Sequence, residues 1–312
     1  MLHEHIIDPR IQNISYSSLL TLHSCPRKFQ LEKLNSVSDS TESETESITF
    51  SYGSVVGEGI QGVLENLSYE DILWKMFLSW KPDILSANPK QNKSFAHAAF
   101  AIQKFAAMRE QGYLDGYSLV QYKGKPACEL SFLINLPNGF KYRGFVDAVL
   151  QHDTTGKIIV LEAKTSSAVT INSATYKNSA QAVGYSIVLD VLFPDLSSYE
   201  VLYLVYSTKA YSYSTLEFTK SFVQRARWIQ ELVLDAELIG KYDEMDMYPM
   251  HGESCYSYFR ECAYMNLCQM ETSRLTQEIT PEERQSIEDK NSTYQINITL
   301  ADLIQSQLRK TL

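Results

Sequence analysis

Asp147, Glu162 and Lys164 are the residues whose types and spacing invite chemistry. They lie in KYRGFVDAVLQHDTTGKIIVLEAKTSS, residues 141–167, where two β-rich runs flank the polar turn HDTTG and Gly156 can take a positive φ at little cost. With the turn centred between Thr154 and Thr155, Asp147 and Glu162 are equally far from that centre. Facing residues of a hairpin bring their Cβ atoms roughly 5 Å apart. Side chains two apart on a strand share a face, so Lys164 joins the pair. A slip of one residue would turn Asp147 away, so the geometry depends on the register.

Two carboxylates this close repel each other and lose hydration when partly buried. A divalent cation between them is the simplest relief. Mg²⁺ takes hard oxygen ligands, keeps several waters and is usually held by one or two carboxylates together with substrate phosphate oxygens. A buried Asp–Lys–Glu ion network without function is the competing reading of the same residues.

The second group is cysteine. Cys255, Cys262 and Cys268 are separated by six and five residues in HGESCYSYFRECAYMNLCQM, and three thiols are one short of a tetrahedral site. Cys25, placed at a bend by the following Pro26, is the natural fourth and would tie the N-terminal segment to the C-terminal region. An iron–sulfur cluster leads this reading, with zinc and unrelated buried thiols as alternatives; common zinc sites use a C-x₂₋₄-C pair, which is absent here. Tyr256, Tyr258, Phe259 and Tyr264 would shield such a cluster. Cys128 reads as a small buried apolar residue.

The elements that must position these groups alternate between strand and helix. Residues 14–34 read as a serine-capped helix interrupted at Pro26, residues 35–47 as a polar acidic loop, and ITFSYGSVVGEGIQGVLENL as a β-rich start turning helical around Gly53 and Val56. No P-loop pattern accompanies those glycines. Residues 68–116 read as a helical insertion whose aromatics belong to a core, with His97 structural. Strands follow over 127–136, the opening hairpin, 198–207 and YSTLEF, with helices over 174–192 and 220–242; Gln181 and Tyr185 share a face of the first. Glu129 is either a further acidic group near the site or an exposed strand residue. The fold class is α/β, a mixed β-sheet flanked by helices, in one domain over 1–272 with a polar tail over 273–312 that ends in a short amphipathic piece.

With 312 residues, 44% of them apolar, the chain can bury a full core. Its net charge of −9 and pI of 5.3 exclude a global basic field, so nucleic-acid binding would need a local patch. No run of about 18 apolar residues and no leader-like N-terminus occur, which predicts a cytoplasmic protein without membrane contact. Five cysteines are too few for a disulfide scaffold in a chain this long.

The ordered set Cys25-Pro26-Arg27-Lys28-Phe29, Gly144-Phe145-Val146-Asp147, Glu162-Ala163-Lys164-Thr165, Gln181 with Tyr185, and Cys262-x₅-Cys268 resembles the RecB-like, iron–sulfur branch of the PD-(D/E)XK nuclease superfamily. That branch includes AddB-type helicase–nuclease subunits, CRISPR-associated adaptation nucleases and phage-encoded nucleases. The resemblance implies a restriction-endonuclease-like core and a metal-dependent DNA nuclease, an exonuclease acting on ends or single strands in recombination, repair or replication. It makes Asp147, Glu162 and the Ala163 carbonyl ligands of Mg²⁺ or Mn²⁺, Lys164 the residue that positions or deprotonates water, and Gln181 and Tyr185 orienting groups. A [4Fe–4S] cluster on Cys25, Cys255, Cys262 and Cys268 would be structural. The same resemblance implies DNA as substrate, a helicase or recombination protein as partner, and the host cytoplasm for a phage-encoded chain. Two departures stand out: Gly57 occupies the helix position where the family often carries a histidine, leaving Glu58 as its replacement, and Cys255 is farther from Cys262 than the family pattern has it. The first departure motivates an alternative, a catalytically inactive DNA-binding subunit of a recombination or CRISPR-adaptation complex.

Overall fold

Strand β1 (Asn13–Ser15) ends on Ser15, whose hydroxyl caps α1 (Tyr16–Ser24) in a capping box with Ser18. Cys25 follows in extended backbone and separates α1 from α2 (Pro26–Leu34), since Pro26 has no N–H to continue a helical ladder. The expected bend is therefore present. The protein is seen here in a computed structural model that describes residues 7–34, 44–196, 199–257, 260–272 and 278–309.

The acidic loop expected over 35–47 lies outside the described residues up to 43, and from Glu44 the backbone is helical, in α3 (Glu44–Leu64). This corrects the β-rich reading of ITFSY. Ile48, Tyr52, Val55, Val56 and Ile60 recur at helical spacing and are all buried, so packing overrides the β preference of the individual residues. The glycines consequently lie inside the helix rather than at its start. A Cβ on Gly59 would come within 2.3 Å of the Ile102 side chain, so the missing side chain there sets how closely α3 packs against its neighbour.

That neighbour is α5 (Phe95–Glu110), which with α4 (Tyr69–Ser79) supplies the helices expected between residues 68 and 116. Its aromatics divide. Trp80 and Phe105 are buried, but Trp74 is 61% exposed and stacks on the exposed Phe77 with ring centroids 5.7 Å apart, and Phe100 is exposed too. A helix packed on one neighbour buries one stripe, which is why a core reading for every aromatic fails. His97 takes a structural place, its Nδ1 against the N-cap hydroxyl of Ser94.

The remaining strands of the main sheet are β2 (Tyr117–Leu119), β3 (Cys128–Asn135), β4 (Lys141–His152), β5 (Ile158–Ser166), β6 (Tyr199–Ser207), β7 (Ser212–Lys220) and β8 (Ile296–Thr299), with α6 (Ala180–Val188) between β5 and β6 and α7 (Phe222–Glu244) after β7. The sheet order is β7-β6-β5-β4-β3-β8, with β1 and β2 also pairing with β4. β5–β6, β3–β8 and β1–β4 are parallel and the other pairs antiparallel, so the sheet is mixed as predicted. The helix expected over 174–192 is in three pieces, Ala174–Lys177, α6 and a 3₁₀ turn at Leu189–Val191.

Residues beyond 272 are more than a polar tail. After α8 (Pro281–Ser292), β8 adds to the edge of β3 and α9 (Leu300–Arg309) buries Leu303. Both faces of the sheet are covered, which explains strands apolar on both sides. Leu19 of α1, Tyr185 of α6 and Trp228 of α7 pack on one face, and Tyr52 of α3, Met76 of α4 and Ile102 of α5 on the other. A fully buried ion pair, Arg225 Nη1 to Asp190 Oδ1 at 2.5 Å, joins α7 to the 3₁₀ turn after α6. Gln307 of α9 donates to the other Asp190 oxygen, and the Tyr199 ring lies 5.1 Å from the guanidinium. No helix among the described residues is long and apolar enough to cross a membrane.

Candidate active site

Strand β4 has more residues than any single neighbour can pair. On one edge it takes β3 and then β2; on the other it takes β1 over Lys141–Arg143 and β5 over Ala148–Gln151. Gly144, Phe145, Val146 and Asp147 lie in the gap between β1 and β5. The pairs Ala148↔Leu161 and Gln151↔Ile158 fix the hairpin register deduced from its turn, and the next step along that register sets Asp147 opposite Glu162.

At that step the side chain takes over from the ladder. Asp147 Oδ2 accepts a hydrogen bond from the Ala163 amide at 2.8 Å. In a strand a residue's N–H and C=O point to the same side, so the Ala163 carbonyl faces Asp147 as well. Glu162 is fully buried; its Oε1 meets Lys164 Nζ at 2.5 Å, while Oε2 has no hydrogen-bond partner among the described residues. Burial raises the Asp147 carboxyl against the opposing pull of Lys164 and the Ala163 amide. Burial also pushes Glu162 up to about 8, with the Asp147 charge adding to the effect. Burial works to lower Lys164, but Glu162 and Asp147 outweigh it and hold the ammonium above its ordinary range.

These groups line a cleft of about 200 Å³ between α3 and α6. Gly53 and Gly57 form part of its α3 wall, and a Cβ on Gly57 would meet nothing within 4 Å. Gln181 lines the cleft from α6, and its amide donates to the Tyr185 hydroxyl at 2.7 Å. Tyr185 itself is buried behind it, edge-on to Phe132, so it positions Gln181 instead of lining the cleft. Glu58 sits 4.0 Å from Lys75 and does not line the cleft.

One residue near the site, Tyr16, is not singled out by the sequence, and a second, Glu129, is read there as either a further acidic group or an exposed strand residue. Tyr16, at the start of α1, lies close enough to Lys164 to help hold it charged; only the pairing of β1 with β4 brings it there. Glu129 of β3 lines the cleft opposite Asp147, and desolvation, with the Asp147 and Glu58 charges, pushes its carboxyl up to about 7.

The cysteine region packs against the Pro26 bend. Arg27 Nε donates to the Cys268 carbonyl at 3.3 Å and its Nη2 to the Met270 carbonyl at 2.5 Å, while Ser254 Oγ donates to the Ser24 carbonyl at 2.8 Å. The Cys262 amide donates to the Cys255 carbonyl at 2.8 Å. Burial raises the Cys268 thiol, and the charges of Cys25, Cys262 and Cys255 add to the rise. Of the expected aromatic shield, Tyr264 is half-buried, Tyr256 is exposed, and Tyr258 and Phe259 lie outside the described residues. Among the described residues no three His, Cys, Asp or Glu side chains are placed so that they could hold a metal ion.

A family model described as the PD-(D/E)XK nuclease superfamily matches residues 13–269. No curated protein matches the chain. A solved structure described as "Crystal structure of SSO0001" is similar at 14% identity over 80% of this chain and 84% of its own, with a TM-score of 0.32.

Proposed function

Because the chain belongs to the PD-(D/E)XK nuclease superfamily, we propose that it is a Mg²⁺- or Mn²⁺-dependent DNA nuclease that hydrolyses phosphodiester bonds at Asp147, Glu162 and Lys164, acting on ends or single strands. The observation that carries this reading is the fully buried Glu162, whose Oε2 is left without a partner beside the amide-anchored Asp147. An ion network kept only for stability would be expected to pair that oxygen. Asp147, Glu162 and the Ala163 carbonyl offer hard oxygen ligands only, which suits these cations. A bound divalent cation there would acidify a water and offset charge on the phosphate oxygens.

The chain's own residues supply the rest. Lys164, held as an ammonium by two carboxylates, donates to the attacking water or to a phosphate oxygen and so acts by positioning. Gln181, steadied by Tyr185, orients the substrate from α6. Gly53 and Gly57 leave the α3 wall bare, so a nucleotide can approach the helix closely. Incubating the full chain with Mg²⁺ or Mn²⁺ and end-labelled single- and double-stranded DNA tests the proposal. Cleavage dependent on the metal is the expected result, and intact DNA under both metals would refute it.

Titration gives a second check. A carboxyl raised to about 8 in the folded protein from an ordinary 4.5 contributes stability that is complete below about pH 4.5 and is lost as the pH rises through about 8. The cation binds the deprotonated form. The rise in Tm caused by Mn²⁺ should therefore be larger near about pH 8.5 than near about pH 6. An equal rise at both would remove Glu162 from the ligand set.

A structural [4Fe–4S] cluster on Cys25, Cys255, Cys262 and Cys268 completes the proposed function, supported by the shared influence of the other three on Cys268 and by the Arg27 contacts that already join the two segments. Protein purified without air should be brown and contain iron. Cys25→Ser should lose both colour and iron; a colourless, zinc-loaded wild type would contradict the cluster.

A further inference from the structure

A net charge of −9 makes nucleic-acid binding depend on a local patch, and β4 supplies one beside the cleft. Tyr142 and Val146 pack in the core layer of α1, α6 and α7, and a Cβ on Gly144 would come within 2.6 Å of Phe132 and 3.5 Å of Tyr185 in that same layer. Strand alternation therefore turns Lys141, Arg143 and Phe145 to the other face of the sheet, the face that α3 and α5 cover farther along at Ala148 and Leu150. Phe145 is 48% exposed. It lies two residues before Asp147, in the gap between β1 and β5, and its ring centroid is 5.9 Å from that of Tyr294, just ahead of β8.

The cations around this ring pair lack counter-charges. Among the described residues the side chains of Lys141 and Arg143 form neither an ion pair nor a hydrogen bond. Lys123 Nζ donates to the Gln295 carbonyl at 3.1 Å, next to Tyr294, and has no carboxylate partner either. Lys33 donates to the carbonyl of Asn13, the β1 residue that pairs with Lys141. Its ammonium is lowered to about 8, by burial first and by the Arg143 charge second, which makes those two cations neighbours; Glu32, which opposes that shift, is paired with Lys28. Like charges held together without a carboxylate are a cost that a bound anion relieves. We propose that Lys141, Arg143, Phe145 and Tyr294 form the track along which a single DNA strand enters the cleft, its phosphates on the cations and its bases on the rings. The inference rests on the nuclease reading of the cleft. Residues two apart on a strand are roughly 6.7 Å apart, a step that a stretched single strand can match phosphate to cation. Aromatic faces suit unpaired bases, which a duplex keeps inside its stack and an acidic peptide lacks.

Fluorescence anisotropy of a labelled oligothymidylate with the full chain in EDTA measures binding apart from cleavage. Phe145→Leu should weaken binding by about tenfold. That loss should vanish on an abasic strand of the same length, which a merely misfolded variant would not show. Arg143→Gln and Lys141→Gln should each flatten the plot of log affinity against log salt by about 0.7, the share of one phosphate contact on a single strand. Arg143→Gln should do so with a Tm at or above that of the wild type, because it relieves Lys33. Affinity within about twofold of the wild type in both Arg143→Gln and Phe145→Leu overturns the track; if Mg²⁺- or Mn²⁺-dependent cleavage persists in the wild type, the nuclease reading survives that failure. Binding of polyglutamate but of no oligonucleotide would make the patch a protein-docking surface and overturn the track as well. Binding that depends on Phe145 and Arg143, with intact DNA under both metals, would uphold the track and sink the nuclease reading.

Discussion

Asp147→Asn should lower the single-turnover rate of metal-dependent DNA cleavage by about 10³-fold or more, equivalent to roughly 4 kcal/mol of transition-state stabilisation. The substitution is nearly isosteric, and the asparagine carbonyl can still accept the hydrogen bond that Asp147 Oδ2 takes from the Ala163 amide. The strand gap should therefore keep its shape. What disappears is a negative charge in the cleft, and with it a cation ligand. Without metal the variant should be at least as stable as the wild type, since the buried Glu162 no longer faces a second carboxylate. A lost rate together with an unchanged or higher Tm marks a catalytic role, whereas cleavage at the wild-type rate would remove Asp147 from the site.

The largest effect on stability should come from Arg225→Met, at about 3–5 kcal/mol. Arg225 and Asp190 are both fully buried and 2.5 Å apart, so the variant leaves a carboxylate in a low-dielectric interior without its counter-charge. The Gln307 amide donates to the same carboxylate, but a neutral donor offsets only part of that cost. The anchor of α9 would loosen at the same time. Replacing Asp190 by leucine in the Arg225→Met background should recover most of the loss, because the uncompensated charge rather than the lost contact dominates. Urea unfolding of the single and double variants measures both. A loss below about 1 kcal/mol in the single variant would show that Asp190 reaches water or another cation when Arg225 is gone.

The sequence made the site legible wherever local rules govern geometry. A hairpin turn fixes its register by symmetry, so the facing of Asp147 and Glu162 was readable, and helical spacing brought Gln181 to Tyr185. Pro26 placed the bend at Cys25 for the same kind of local reason. What was not readable depends on partners distant in the chain. ITFSY is helical because Ile48 and Tyr52 are buried in the layer with Ile102 and Leu161, contacts that no local preference encodes. Glu58 lies on the expected helix but is claimed by Lys75 of the next one. Glu129 sits in a run of good strand formers, and nothing in the letters CELSF announces a left-handed backbone. The exposed Trp74 and Phe77 mislead in the opposite direction, since their aromatic character suits a core to which α4 turns Ile72 and Met76 instead.

The two ends of the described chain meet the central hairpin from opposite sides, β1 on the free edge of β4 and β8 on the free edge of β3. For a chain that emerges from its N-terminus, this sets a sequence of events. The β3–β4–β5 meander can pair early from local contacts, but the outer edge of β3 has no strand to cover Phe132 to Asn135 until Ile296–Thr299 has been made. During that interval the strand that carries Glu129 presents open backbone groups to any other unfinished chain. Until β8 is made and paired, the open edge of β3 is thus exposed to strand-to-strand aggregation, and a chain cut before residue 296 would stay in that state.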